Sequence, residues 1–310
     1  MNINTTLKLF TAAAILVGTS ACSNSDENQT PTTEAVAMSF VADISATRAT
    51  ATLFEAGDVV GIIPIKGRGV EKEQANIAYT CNGTAFVATP PYYFKGSDAI
   101  VFNAYYPYES NMADDYILDI DTRRANQTTL TTGGHAWRKN DYLAASVTAD
   151  KSAPMVKFVG SNAFRHAMSS IVLTFKAGDG IANLKSLTGY TLGSLIVDGA
   201  FDCLNGSTML GVGVAAESLT IDGIACAETA TEYTAEPLIL LPQAIEGGKC
   251  TLTVRYNNVD YTATLNLPTL DAGVRYEFTI TIKNTLLEIS SGEIVDWTPT
   301  TPTTGDAVLQ

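Results

Sequence analysis

The chain has 310 residues, enough for about two domains of ordinary size. With 19 Lys plus Arg against 32 Asp plus Glu its formal charge is −13, which argues against nucleic acid, whose binding depends on basic residues that neutralise phosphates. Only two histidines occur, His135 and His166, and there is no G-x-S-x-G, H-E-x-x-H, P-loop or dinucleotide fingerprint, so the expectation is a protein that is not an enzyme and carries no cofactor or metal.

The first residues, MNINTTLKLFTAAAILVGTSA, carry one positive charge at Lys8, an apolar run of roughly a dozen residues, and small residues up to Ala21. This layout predicts a secretory signal over 1–21; the run is too short to cross a bilayer, which takes about 20 apolar residues. Thr19, Ser20 and Ala21 lead directly into Cys22, so the segment resembles a bacterial lipobox, with Thr19 in place of the usual leucine. The resemblance implies cleavage before Cys22 and lipidation of its sulfur and new amino terminus, a stable membrane anchor. An ordinary signal peptide with an incidental cysteine is the alternative. The acidic SNSDE after Cys22 resembles an export signal for the outer face of the outer membrane, which implies surface exposure. Residues 22–37, polar and without periodicity, predict a flexible tether.

Beyond the tether, apolar residues alternate at period two in almost every patterned stretch, which predicts an all-β protein. Strands are expected at 37–44, 58–66, 76–81, 99–108, 141–147, 155–160, 169–176, 194–201 and 237–243, with Gly, Pro, Asn and Asp between them. CTLTVRYNNVDYTATLNL reads as a hairpin turning at Asn257 and Asn258, with Leu252, Val254 and Tyr256 sharing a face on one arm and Tyr261, Ala263 and Leu265 on the other. In VRYEFTITIK, Val274, Tyr276, Phe278, Ile280 and Ile282 point one way and the polar residues the other. The best candidate for a short helix is 162–169. Short strands at this spacing suggest sandwiches, and the break between Lys151 and Asn162 divides the chain into domains at 38–155 and 156–298, followed by an extended Thr/Pro-rich tail over 299–310.

Few side chains suggest chemistry. Asp114, Asp115, Asp119 and Asp121 are oxygen ligands by type but lack the glycine and terminal glutamate of an EF-hand loop, and read as a solvated strand edge. Tyr92, Tyr93, Phe94, Tyr105, Tyr106 and Tyr108 could stack on sugar rings, although aromatic residues also fill strand cores, the favoured reading. His135 reads as a surface loop residue and His166 as a hydrogen-bonded structural one. Cys81, Cys203, Cys226 and Cys250 form no CxxC; buried free thiols are expected, with Cys203–Cys250 or Cys226–Cys250 as the alternative bridges.

Several phrases, taken in order, resemble the fimbrillin-like proteins, the type V pilus subunits and related surface lipoproteins of Bacteroidetes. They are ATRATATLFEAGDVVGIIPI (46–65), VFNAYYPY (101–108), NDYLAASV (140–147), FRHAMSSIVLTF (164–175), LILLPQ (238–243), DAGVRYEFTITIK (271–283) and GEIVDW (292–297). The resemblance implies two β-sandwich domains of transthyretin-like topology and a role in adhesion at the cell outer membrane, as part of a fimbrium. It also implies assembly with other pilus subunits by strand complementation: a protease cuts after an arginine, the first strand leaves, and a neighbour fills the groove. Arg48 in SATRAT matches that arginine best, and the piece removed would include AMSFVADI. The alternative is a monomeric outer-membrane lipoprotein that binds a glycan or a host or bacterial surface ligand.

Overall fold

The computed structural model describes residues 35–44, 54–123, 127 and 136–296. Cys22, Arg48 and His135, the leader, nearly all of the tether, and the 299–310 tail lie outside the described residues. What is described is all-β, with short 3-10 turns as its helical pieces apart from a single helical position at Gln127.

The first half of the chain builds a nine-stranded sheet. Its order runs Met155–Phe158, Ser39–Ala42, Phe86–Val87, Ile77–Cys81, Val59–Lys66, Ile100–Tyr106, Leu143–Ala149 and Arg165–His166, with Gly69–Val70 pairing beside Val59–Lys66. Alternation explains the burial. In Ile100–Tyr106 the side chains of Ile100, Phe102 and Ala104 enter one core, joined there by Phe40, Tyr79, Phe94, Phe158 and Phe164 from other segments. A sheet whose first and middle strands feed the same core must curve around it.

The second half is a sandwich. A five-stranded sheet holds Ser169–Ala177 next to Val274–Ile282 in parallel, with Leu287–Asp296 beyond, and a four-stranded sheet runs Glu217–Asp222, Leu187–Leu195, Lys249–Tyr256, Val259–Asn266. Their inner faces share a second core, to which Leu173, Phe175 and Ile280 come from one sheet and Leu192, Leu252 and Leu265 from the other. The expected alternation in 274–282 is observed, with Tyr276, Phe278, Ile280 and Ile282 buried. The hairpin turns at Asn257 and Asn258, both at positive φ (51° and 60°), the conformation that Asn tolerates best after Gly.

The two halves are joined through a third core. Ile63 and Tyr105, from the outer face of the first sheet, pack with Met168, Phe201, Ile239 and Leu241. Ile117–Asp121 pairs with Asp198–Asp202, and Ser207–Leu210 completes that three-stranded sheet. The acidic stretch is thus a strand with Ile120 buried, paired with a segment far along the chain.

Two expectations are corrected. Residues 162–169 form no helix: after a 3-10 turn at Gly160–Asn162, Arg165–His166 is a short strand against Leu143 and Ala144. Phe164 and His166 are buried and Arg165 exposed, a period-two pattern. The strand expected at 194–201 is divided: its first residues end Leu187–Leu195, a central strand that its glycines disguise, and the rest belongs to Asp198–Asp202. A Cβ on Gly189 would lie 2.5 Å from the Ile221 carbonyl oxygen, so the glycine permits the close approach of the neighbouring strand.

Candidate functional site

The segment 36–44 lies in a groove made by residues distant in sequence. Val36 and Ala37 pair antiparallel with Phe94 and Tyr93, and Ser39–Ala42 pairs in parallel with Met155–Phe158. Further bonds close the run: the Met38 N–H donates to the Tyr92 carbonyl (2.8 Å), Ser39 N–H to Pro154 (3.1 Å) and Asp43 N–H to Phe158 (2.9 Å), while Phe164 N–H donates to Asp43 (2.9 Å). Ile44 forms a parallel bridge with Phe164. The segment's backbone groups are therefore satisfied chiefly by strands of the groove.

Side chains fill the groove at alternate positions. Met38 and Phe40 are 3% and 2% exposed, and Ile44 is buried with them, while Ser39, Val41 and Asp43 face out. The Phe40 ring lies 4.5 Å from that of Phe86, 4.9 Å from Tyr79 and 5.4 Å from Phe158, centroid to centroid. Burying each such side chain stabilises by about 1.5–3 kcal/mol. The Tyr79 hydroxyl accepts the Tyr92 N–H at 2.9 Å and donates to the Met38 carbonyl at 3.5 Å, and burial pushes its pKa up to about 12. It ties the inserted segment to the wall as a neutral donor.

The other sequence candidates are spread over the fold. Tyr92, Phe94 and Tyr105 are buried, Tyr106 and Tyr108 half-buried, and Tyr93 exposed, so these rings largely serve the cores. Tyr106 donates to Asp58 (3.1 Å) and Tyr92 to Glu71 (2.6 Å). Of the aspartates, Asp114 pairs with Lys72 at 3.5 Å, Asp115 accepts the Ile117 N–H, and Asp121 joins Arg123, which also grips Asp198 through both terminal nitrogens at 2.6 Å. His166 is buried, its Nδ1 2.7 Å from Asp141 Oδ1. Cys81, Cys203, Cys226 and Cys250 are free thiols. Burial pushes Cys203 up to about 12 and Cys250 to about 11, the marks of packing rather than reactivity.

The groove was legible in the sequence only as a good strand before Arg48. That it is filled by residues 36–44, and lined by Tyr79, Phe86 and Phe158, depends on parallel pairing with a strand more than a hundred residues later, which has no local signature.

A β-sandwich architecture with an early segment inserted into a groove of its own first sheet defines a class of all-β proteins. The fimbrillin-like family model matches residues 47–297, and the chain belongs to that family. It is 27% identical over 303 residues to a candidate fimbrium subunit, Fim1C, of Bacteroides uniformis, a match that covers 90% of each chain. Among solved structures it resembles a candidate cell adhesion protein of Bacteroides ovatus, with a TM-score of 0.71 and 25% identity over 86% of this chain and 100% of the other. A candidate cell adhesion protein of Bacteroides uniformis shares the fold, with a TM-score of 0.66 at 23% identity over 86% of this chain and all of that one.

Proposed function

We propose that the chain is a lipid-anchored, surface-exposed subunit of a fimbrium that joins other subunits by strand exchange and supports adhesion. One observation carries this reading: residues 36–44 fill an apolar groove with paired backbone and buried Met38, Phe40 and Ile44, and an arginine, Arg48, follows four residues later. A cut after Arg48 would cut the segment's link to the domain. Its departure would leave unpaired N–H and C=O groups on Met155–Phe158 and bare the rings of Tyr79, Phe86 and Phe158, a template for an incoming strand. The family match begins at residue 47, beyond the segment, and the relatives named as fimbrium and adhesion proteins are structural proteins, which supports the same reading.

In this reading Cys22 carries the lipid that anchors the precursor in the cell outer membrane, and other pilus subunits supply the replacement strand. We take the two cores as two domains. Met155–Phe158 pairs within the first sheet and Phe164 fills the first core, which supports counting 155–164 with the first of them.

The test is limited digestion of the chain with a trypsin-like protease, beside an Arg48→Ala control, while mass and oligomer size are followed. The expected result is one cut after Arg48 and SDS-resistant ladders that the control lacks. A cut product that stays monomeric, or a digestion pattern that R48A does not change, overturns the strand-exchange reading.

A further inference from the structure

A cleft of about 730 Å³ opens where Leu143–Ala149, the turn Gly160–Asn162 and the turn 203–206 with the start of Ser207–Leu210 meet. The size is that of a ligand pocket. No part of it belongs to the groove of residues 36–44.

The wall of this cleft is held rigidly. Asn103 Nδ2 donates to the Leu204 carbonyl at 2.7 Å, and Ser146 Oγ donates to Asn103 Oδ1 at 2.8 Å. Asp202 braces the loop from within, accepting the Leu204 N–H at 2.8 Å and Asn205 Nδ2 at 2.7 Å. Gly206, at φ +72°, lies so close to the strand that a Cβ there would stand 2.4 Å from that of Ala144. Only glycine lets the loop lie on the sheet in this way. A site fixed before its ligand arrives loses less entropy on binding.

Its charge runs against that of the chain. Acidic residues outnumber basic ones 32 to 19, yet no Asp or Glu lines the cleft, whereas Arg165 and His166 do. The Arg165 guanidinium is exposed and donates through Nη2 to the Ser161 carbonyl at 3.0 Å, and it has no carboxylate partner among the described residues. His166 is held by Asp141, whose Oδ1 lies 2.7 Å from its Nδ1. The carboxamide of Asn162, which also lines the cleft, makes no hydrogen bond among the described residues, and Ser207 and Thr208 line it with hydroxyls that donate to Asn205 Oδ1 at 2.5 Å and to the Ala167 carbonyl at 3.3 Å and can still accept.

We propose that this cleft binds an acidic saccharide, with Arg165 pairing with the sugar carboxylate and Asn162 with neighbouring hydroxyls. A guanidinium fork matches a carboxylate in two parallel bonds, and a carboxamide can donate to one hydroxyl and accept from the next. The cleft is large enough for a pyranose ring, and Ala145 and Ala163 line it with small side chains. An extended peptide is less well served, because Leu143 and Ala144 already pair with His166 and Arg165 and so offer no free strand edge there. The proposal does not depend on strand exchange, since the uncut chain holds the whole site.

The test is a titration of the uncut chain with glucuronate and N-acetylneuraminate, followed by saturation-transfer NMR, with glucose as the neutral control. Arg165→Ala and Asn162→Ala are titrated in parallel, both changing exposed side chains, with circular dichroism to confirm folding. The expected result is saturable binding of the acidic sugars, at least tenfold weaker for glucose, lost at least tenfold in R165A, and weakened by added salt. Equal affinity in folded R165A overturns the proposal, as does binding of inorganic phosphate or an acidic peptide by a chain that binds neither acidic sugar.

Discussion

The side chain of Gln127 stands in for a β-strand beside Ile239. Its Oε1 accepts the Ile239 N–H at 2.8 Å, and its Nε2 donates to the Ile239 carbonyl at 2.6 Å and to the Thr122 carbonyl at 2.8 Å. One carboxamide thus satisfies both backbone groups of a residue in the short strand Leu238–Leu240, which is buried throughout. Gln243 repeats the device on Ile196, accepting its N–H at 2.8 Å and donating to its carbonyl at 2.9 Å.

Gln127→Ala is therefore expected to be costly although the side chain removed is polar. Two backbone groups of Ile239 lose their partner, and each buried unpaired group costs about 1–3 kcal/mol, so a loss of about 2–6 kcal/mol is expected. Urea denaturation measures it, and hydrogen exchange at the Ile239 amide should quicken in step.

Phe40→Ala tests the groove. With three aromatic rings around it, Phe40 should cost about 3–5 kcal/mol when truncated in the intact chain, read by the denaturation midpoint. In chain already cut after Arg48, assembly should proceed as in the parent, because the departing segment carries the substitution away. A destabilisation below about 1 kcal/mol would mean that the segment is not seated as described.

The Arg123–Asp198 pair should be sensitive to acid. The Arg123 guanidinium holds the Asp198 carboxyl below its usual range, so its contribution to stability is complete above the unfolded value of about 3.9 and is lost as pH falls through the lower folded value. Asp198→Asn should destabilise at pH 7, and the gap to the parent should close on acidification. A gap that persists unchanged at pH 2 would assign the loss to packing.

Thiol labelling reads the cores. In a Cys22→Ser background at pH 8, Cys226, which is only half-buried, should react first with an Ellman-type reagent. Cys81, Cys203 and Cys250 should wait for denaturant, since all three are buried and burial holds the last two largely protonated. Rapid labelling of all four in the native protein would show that the cores open.

Local rules carried the reading of strands wherever a strand obeys period two and ends in a turn residue. The hairpin at Asn257 and Asn258 and the alternating run 274–282 fall where their sequence puts them, because an amphipathic face and a positive-φ turn are fixed by residues within a few positions of each other. Leu187–Leu195 escaped because its glycines serve a neighbour rather than the strand itself, and the supposed helix at 162–169 failed because Phe164 had a core to fill.

Alone, the sequence determined the all-β class, the turns, the acidic charge and the family. Which strands became neighbours was decided by the tertiary structure: Ser39–Ala42 beside Met155–Phe158, Ile117–Asp121 beside Asp198–Asp202, and a lone glutamine completing Ile239. Such partnerships join segments 77 to 116 residues apart, by the separations of Asp121 from its partner Asp198 and of Ser39 from Met155. They are fixed by the shared need to bury apolar faces and to leave no backbone group unpaired, a condition on the whole molecule that no local pattern encodes.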